Sequence, residues 1–200
     1  MRQAIAHCID RQALADAIQW GKGTVAHSYV PPNHPLYGGD QLTMYAFDPG
    51  QGQALLTAAS WVPDPLTGIR HRDGIPLILR YSTSFSRDYS GRLRQILAEM
   101  IQSDLLECGI ELSVELSSAA EIYSEWPKGI VFGRKFDLAE YTWLLPGEPR
   151  CELYRSDRIP NNSFPGGINS AGYSSHAFDA ACDQGFLALE HTQEAQGHLV

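Results

Sequence analysis

The residues with the widest chemical repertoire are seven histidines and four cysteines. No two of the histidines stand at metal-ligand spacing. His71-Arg72-Asp73 reads as a turn ahead of an apolar run, so a solvated loop histidine is expected there and no metal site. Cys8, Cys108, Cys151 and Cys182 are widely spread and form no Cys-x-x-Cys pair. Cys8 and Cys182 lie in apolar helical patterns and Cys108 at a helix end. Buried free thiols are the expected state, ahead of a metal site or a disulfide framework. There is no Gly-x-Ser-x-Gly elbow, no phosphate-cradling glycine loop with a lysine, and no His-Glu-x-x-His. Glu121 and Glu125 share a helix face, where a solvated carboxylate pair is the default. With no nucleophile placed beside a base, no catalytic residue and no cofactor is expected.

Binding chemistry is better represented. In Phe136-Asp137-Leu138-Ala139-Glu140-Tyr141-Thr142-Trp143, strand alternation puts Asp137, Ala139, Tyr141 and Trp143 on one face. An irregular loop follows, Leu144-Leu145-Pro146-Gly147-Glu148-Pro149. In open α/β sheets ligands bind beyond the carboxyl ends of strands, and a Tyr and a Trp there supply apolar walls with hydrogen-bond donors. Ser82 and Thr83, at the end of an apolar run that starts at Ile75, are further candidates for polar contacts.

The elements that must position these residues follow from spacing. Residues 4–18 read as helix in two pieces, with Asp10 as N-cap of the second and Leu14, Ala17 and Ile18 inward. Residues 30–35 are Pro-rich and suit an extended surface path. Asp48-Pro49 opens a short helix that stops near Trp61, and Gly50 and Gly52 weaken its first turn by about 1 kcal/mol each relative to Ala. Ile75 to Tyr81 has strand length. Leu93, Ile96, Leu97, Met100, Ile101 and Leu105 form one helical stripe, closed by Gly109 in a left-handed cap. Ile110, Leu112, Val114 and Leu116 then alternate with polar residues as a half-buried strand. Strand, helix and strand make one βαβ unit with parallel strands and a right-handed crossover. A short helix at 119–126, the strand at 136–143, a turn-rich tract at 146–175 and a last helix near 178–191 complete an α/β chain with a mixed sheet.

The 200 residues suit one domain or one lobe. A chain of this length buries roughly 70% of the surface its unfolded form exposes. A net charge of −8 with no basic cluster argues against nucleic acid and against an anionic membrane surface. No stretch approaches a membrane span. Met1 is followed at once by helix-forming residues, with no charged n-region and apolar h-region. The chain therefore reads as a stretch from within a longer polypeptide, whose missing leader says nothing of location.

Six segments, in order, resemble one family. Arg2-Gln3-Ala4-Ile5-Ala6-His7-Cys8-Ile9-Asp10-Arg11 is similar to an Arg-x-Ala-Ile-x-x-Ala-Ile-Asp-Arg segment, with Cys8 in place of Ala. Asp48-Pro49 through Leu55-Leu56 to Trp61 resembles Asp-Pro-x-x-Ala-x-x-Leu-Leu-x-x-Ala-Gly-Trp, with Ser60 in place of Gly. Asp73-Gly74-Ile75-Pro76-Leu77, the helix from Gln95 to Gly109, Phe136-Asp137-Leu138 leading to Trp143, and Asn169 to Tyr173 with Phe178-Asp179 also fit. The family is the family 5 extracellular solute-binding proteins, the oligopeptide, dipeptide and nickel class of ABC importers.

The resemblance implies that residues 1–200 are a single, partial lobe of a type II periplasmic-binding fold, the smaller lobe inserted between halves of the larger. It implies solute binding, with peptide as the leading ligand class, and delivery to the permease subunits of an ABC importer, without enzymatic turnover. The other lobe of the parent chain completes the site by hinge closure. Location is periplasmic or extracellular, lipid-anchored or free. A sensor of the same fold that presents ligand to a receptor is the second reading, and a hydrolase a distant third. The ligand-binding set is Tyr141, Trp143, Leu144, Leu145, Glu148, Ser82, Thr83 and, by family position, Asn169. One departure matters: peptide-binding members carry an Asp about three residues after the strand's Trp, pairing with the peptide amine. Here that position falls on Leu145 or Pro146, and the nearest acid is Glu148. Glu148 either replaces the family's Asp-Pro turn or takes over the amine contact.

Overall fold

The computed structural model of the chain describes residues 1–86, 88–142 and 150–189. It divides into two compact units, each drawn from three stretches of sequence. One comprises Met1–Val25, Met44–Ser118 and Phe136–Glu140, the other Ala26–Thr43, Ala119–Lys135 and the described residues of Tyr141–Val200.

In the first unit the opening helical segment breaks as its caps dictate, into α1 (Arg2–Cys8) and α2 (Arg11–Gln19). Asp10 Oδ1 accepts from Ala13 N at 2.9 Å, satisfying a backbone donor the helix leaves free. No residue of α2 is fully buried, and Ala17, expected inward, is exposed. Helix α3 (Pro49–Ala58) begins where Asp48-Pro49 requires, with Asp48 Oδ1 accepting from Gln51 N at 2.9 Å.

Three short strands follow, β1 (Val62–Pro63), β2 (Arg70–Arg72) and β3 (Ile75–Pro76), in an antiparallel sheet of that order. Asp73 and Gly74, both with left-handed φ (53° and 78°), form the two-residue turn of a hairpin. His71 is therefore in β2 and half-buried, a correction to the loop expected there. The Asp-Gly pair marks the turn, and the residues before it pair back onto those after it.

The apolar run from Ile75 is not one strand. At Leu77 the chain passes from one sheet to another: Leu77 N donates to Arg70 O at 2.7 Å and Leu77 O accepts from Glu111 N at 3.0 Å. Beyond it β4 (Ile78–Ser84), α4 (Tyr89–Glu107) and β5 (Glu111–Ser117) form the βαβ unit, its strands parallel and in register from Ile78↔Glu111 to Ser84↔Ser117. On the other side of β4 lies β6 (Leu138–Glu140), also parallel, giving the order β5-β4-β6. The core gathers Leu56, Trp61, Leu77, Tyr81, Leu105, Ile110 and Leu112. Gly109 holds φ 78° after α4, and a Cβ there would lie 2.7 Å from Gly68 O, so both the cap and the packing require glycine. The buried Arg70 guanidinium clips these parts together through Cys108 O, Trp61 O and Thr57 Oγ1, at 2.7–2.9 Å. Alternation overstates the burial of β5. Leu112 is buried, yet Val114 and Leu116 are 36% and 48% exposed, because β5 is the sheet's edge and burial there depends on what covers it.

The second unit holds α5 (Ala119–Tyr123), α6 (His176–Leu189), a 3-10 stretch at Gly39–Gln41 and two later 3-10 turns, Cys151–Tyr154 and Ser156–Arg158. The stretch 30–35, expected extended, lies instead in consecutive turns through His34 N to Pro31 O and Tyr37 N to His34 O. Val30 and Leu36 are buried against Tyr29 and Tyr37. The ring of Phe178 meets those of Tyr29, Tyr154 and Tyr173 edge-on at 5.6–6.4 Å, a favourable aromatic geometry. Asp179 Oδ1 accepts from Ser156 N at 2.9 Å, docking α6 on the second 3-10 turn.

The cysteines correct the expectation of free thiols. Cys8 pairs with Cys108 (Cα–Cα 6.2 Å) and Cys151 with Cys182 (Cα–Cα 5.9 Å), both within bonding reach. The partners are 100 and 31 residues apart in sequence, so only the packing of α1 on α4, and of the first 3-10 turn on α6, brings them together.

Candidate ligand-binding site

The three parallel strands all end on one side of their sheet, at Ser84, Ser117 and Glu140. Tyr81, Thr83 and Glu140 share a face there, since register pairs Thr83 with Glu140 and Tyr81 with Leu138. Tyr81 OH donates to Glu140 Oε2 at 2.8 Å and Thr83 Oγ1 donates to the same oxygen at 3.3 Å. From α4, Arg94 Nη1 donates to Glu140 Oε1 at 3.1 Å in an ion pair whose side chains are 18% and 26% exposed. The Tyr81 hydroxyl is pushed well up from its ordinary pKa, by burial first and then by the charge of Glu140, so it stays a donor at physiological pH. This network locks the end of β6 to β4 and α4, and it escaped the sequence reading. The signals were present: a Glu inside an apolar strand and an Arg bordering the apolar stripe of a helix.

Thr83 is fully buried and engaged with Glu140. Ser82, on the opposite face, is also fully buried, and its Oγ has no hydrogen-bond partner among the described residues. Beyond β4 a cavity of about 510 Å³ opens between Phe85 and Ser86 and the first turns of α4, with Gln95, Ile96 and Glu99 on its wall. Asp88 caps that helix: its Oδ1 accepts from Gly91 N at 3.1 Å and from the Ser90 hydroxyl at 2.7 Å, and the Ser86 hydroxyl also donates to it. These bonds, the Ser86 one foremost, hold the Asp88 carboxyl down to about 2.

Tyr141 follows β6 in the chain and belongs to the second unit. Half-buried, it shares a 2.7 Å hydrogen bond with the hydroxyl of buried Ser170. The two line a cavity of about 180 Å³ with Leu153, Tyr154, Ile168 and Ala171. Burial, and then Tyr141, raise the pKa of the Tyr154 hydroxyl. Asn169, one residue before Ser170, is fully buried. Its Nδ2 donates to Arg155 O and Tyr173 O, both at 2.8 Å, while its Oδ1 accepts from Tyr173 N at 3.3 Å. Its amide thus shapes the turn that carries Ser170. Trp143, Leu144, Leu145 and Glu148 lie outside the described residues. Among the described residues no three of His, Cys, Asp or Glu gather to hold a metal ion.

Comparison with known proteins decides the family. The model of "Bacterial extracellular solute-binding proteins, family 5 Middle" matches residues 1–149.

The chain belongs to this family.

Among the relatives of this family 5 chain, the nickel-binding periplasmic protein of Escherichia coli K12 is 29% identical over 163 residues, covering 82% of the chain and 29% of that protein. Di/tripeptide-binding protein 1 of Pseudomonas aeruginosa UCBPP-PA14 is 26% identical over 193 residues, covering 92% and 32%. A solved oligopeptide-binding protein of Thermus thermophilus, in complex with a pentapeptide, superposes with a TM-score of 0.82 at 22% identity, over 98% of the chain and 34% of that protein. The chain thus spans about a third of the length of the relatives it matches. The mixed α/β fold expected from the family 5 resemblance is the fold observed.

Proposed function

We propose that residues 1–200 form one lobe of an extracytoplasmic solute-binding protein that captures peptides or similar small solutes and delivers them to an ABC importer, acting by binding and not by turnover. The observation that carries this reading is the family match over residues 1–149, in a chain whose parallel strands end together beside residues suited to ligand contact. Crevices beyond the carboxyl ends of parallel strands are where open α/β sheets bind ligands. Tyr141, Trp143, Leu144, Leu145 and Glu148 are the proposed ligand contacts, Asn169 shapes the turn beside Tyr141, and Ser82 and Thr83, both fully buried, support the strand end from within and do not touch the ligand. The opposing wall comes from the parent protein's other lobe, closing by hinge motion. The two disulfides support a periplasmic or extracellular location, since such bonds persist in oxidising compartments.

The ligand is read as a peptide. Among the relatives' names peptides recur, while one names nickel, so the test carries both. Thermal unfolding of the whole protein that contains this stretch is followed against di-, tri- and oligopeptides, amino acids, sugars, nickel and a nickel–histidine complex. A bound solute at a hundredfold its dissociation constant adds about 2.7 kcal/mol of stability, so a peptide should raise the midpoint by several degrees. A rise with nickel alone replaces the peptide assignment and leaves transport standing. No rise with any solute sinks the binding reading.

A further inference from the structure

We propose that the cavity lined by Tyr141 and Ser170 is a subsite for an uncharged side chain of the solute, branched aliphatic or singly aromatic. This rests on the reading that Tyr141 faces the solute, and adds to it the chemical class accepted there.

Three properties of the cavity set that class. The first is charge: Tyr141, Leu153, Tyr154, Ile168, Ser170 and Ala171 form the wall, and none of them carries charge at neutral pH. An ammonium or carboxylate seated among them loses water and gains no counter-ion from these six described residues, which is strongly unfavourable. The raised Tyr154 pKa, from burial first and Tyr141 second, keeps that wall neutral.

The second is size. The cavity measures about 180 Å³, and an apolar cavity of about 150 Å³ accepts benzene. A phenyl or isobutyl group fits. A methyl leaves most of the space empty and forgoes its dispersion contacts.

The third is rigidity. Leu153 is 7% exposed and sits two residues from Cys151, which is bonded to Cys182 on α6. Tyr154 is held by ring contacts with Tyr29 and Phe178 at 5.8 and 6.4 Å. Ile168 and Ser170 flank Asn169, whose side chain bonds to Tyr173 within the turn and to Arg155 O outside it, and whose N–H donates to Arg158 O. Walls fixed in this way need no ordering on binding, which favours recognition by shape. On one side the Tyr141–Ser170 hydroxyl pair, 2.7 Å apart, offers neutral hydrogen bonding to a hydroxyl or phenol.

The test uses this chain and four probes, the neutral p-cresol and isopentanol and the charged benzoate and isopentylammonium, followed by methyl NMR. Neutral probes should shift the Ile168 and Leu153 methyl signals with millimolar dissociation constants, the charged pair at least tenfold more weakly. Ile168→Trp, which fills the space, should abolish the shift of the Leu153 methyls. Ala171→Phe, at an exposed lining residue, is the second variant if the first does not fold. In the whole protein Ile168→Trp should weaken Leu- and Phe-containing dipeptides at least tenfold and leave glycyl-glycine unchanged. Absent shifts with both neutral probes, or equal shifts with the charged ones, overturn the assignment. Equal weakening of glycyl-glycine does so too. If no solute binds the whole protein, the transport reading falls, while the probe titration still decides whether the cavity accepts neutral groups.

Discussion

Gly52 shows how one position can oppose its own local preference. By helix propensity alone it weakens α3, and Ala would favour the helix by about 1 kcal/mol. A Cβ at that position, however, would collide with Cys8 Sγ and reach to 3.0 Å of Ala4 O. Both neighbours are fixed, the sulfur by its disulfide and the oxygen by the backbone of α1, so neither can swing away. Overpacking of this kind costs about 1–3 kcal/mol, which exceeds the propensity gain. Gly52→Ala is therefore expected to lower stability by about 1 kcal/mol, seen as a lower denaturant midpoint. A higher midpoint would mean that α3 shifts freely over the disulfide. The glycine was readable as a weak helix opening, but its reason was not, because the sulfurs it accommodates come from residues 44 and 56 positions away.

At the scale of the element, α4 carries the clearest prediction. Its N-cap, Asp88, gathers two hydroxyls and a backbone N–H, which hold its carboxyl down to about 2 from the ordinary 3.8, the Ser86 hydroxyl foremost. A carboxyl held below its unfolded value stabilises the folded state above about pH 4, and that contribution disappears as the pH falls through 2. NMR titration of the Asp88 carboxyl carbon should give a midpoint near 2. Loss of the cap below it should appear as faster amide exchange at Gly91. A midpoint at the ordinary value would show that the cap does not form. The cap follows from local sequence, as do the caps at Asp10 and Asp48 and the glycine after α4. What could not be read locally is where strands stop. Ile75 to Tyr81 is uninterrupted in hydrophobicity, yet it serves two sheets, since the break at Leu77 is set by its partners Arg70 and Glu111. The strand before Trp143 is likewise shorter than its alternation implies, and its Glu140 turns inward because Arg94 and Tyr81 wait there.

For the whole molecule, the disulfides tie together stretches far apart in sequence. In the chain-entropy picture a closed loop of about 100 residues contributes about 4–5 kcal/mol, and one of about 30 residues about 3–4. Replacing Cys8 and Cys108 together by Ser should therefore lower the denaturant midpoint more than replacing Cys151 and Cys182. Midpoints that match with and without reductant would show that the pairs are not formed in solution.

The sequence by itself determined the main helices, the caps at Asp10, Asp48 and Gly109, the βαβ unit and the family, because each is written in nearest neighbours and in the periods of helix and strand. Tertiary structure alone decided the cysteine pairing, the Tyr81–Glu140–Arg94 network, the change of sheet at Leu77 and the cavity beside Tyr141. Most of these join partners far apart along the chain, by as many as 100 residues between Cys8 and Cys108. Their interaction begins only when packing brings them within a few ångströms, and no local pattern in a single sequence encodes that distance.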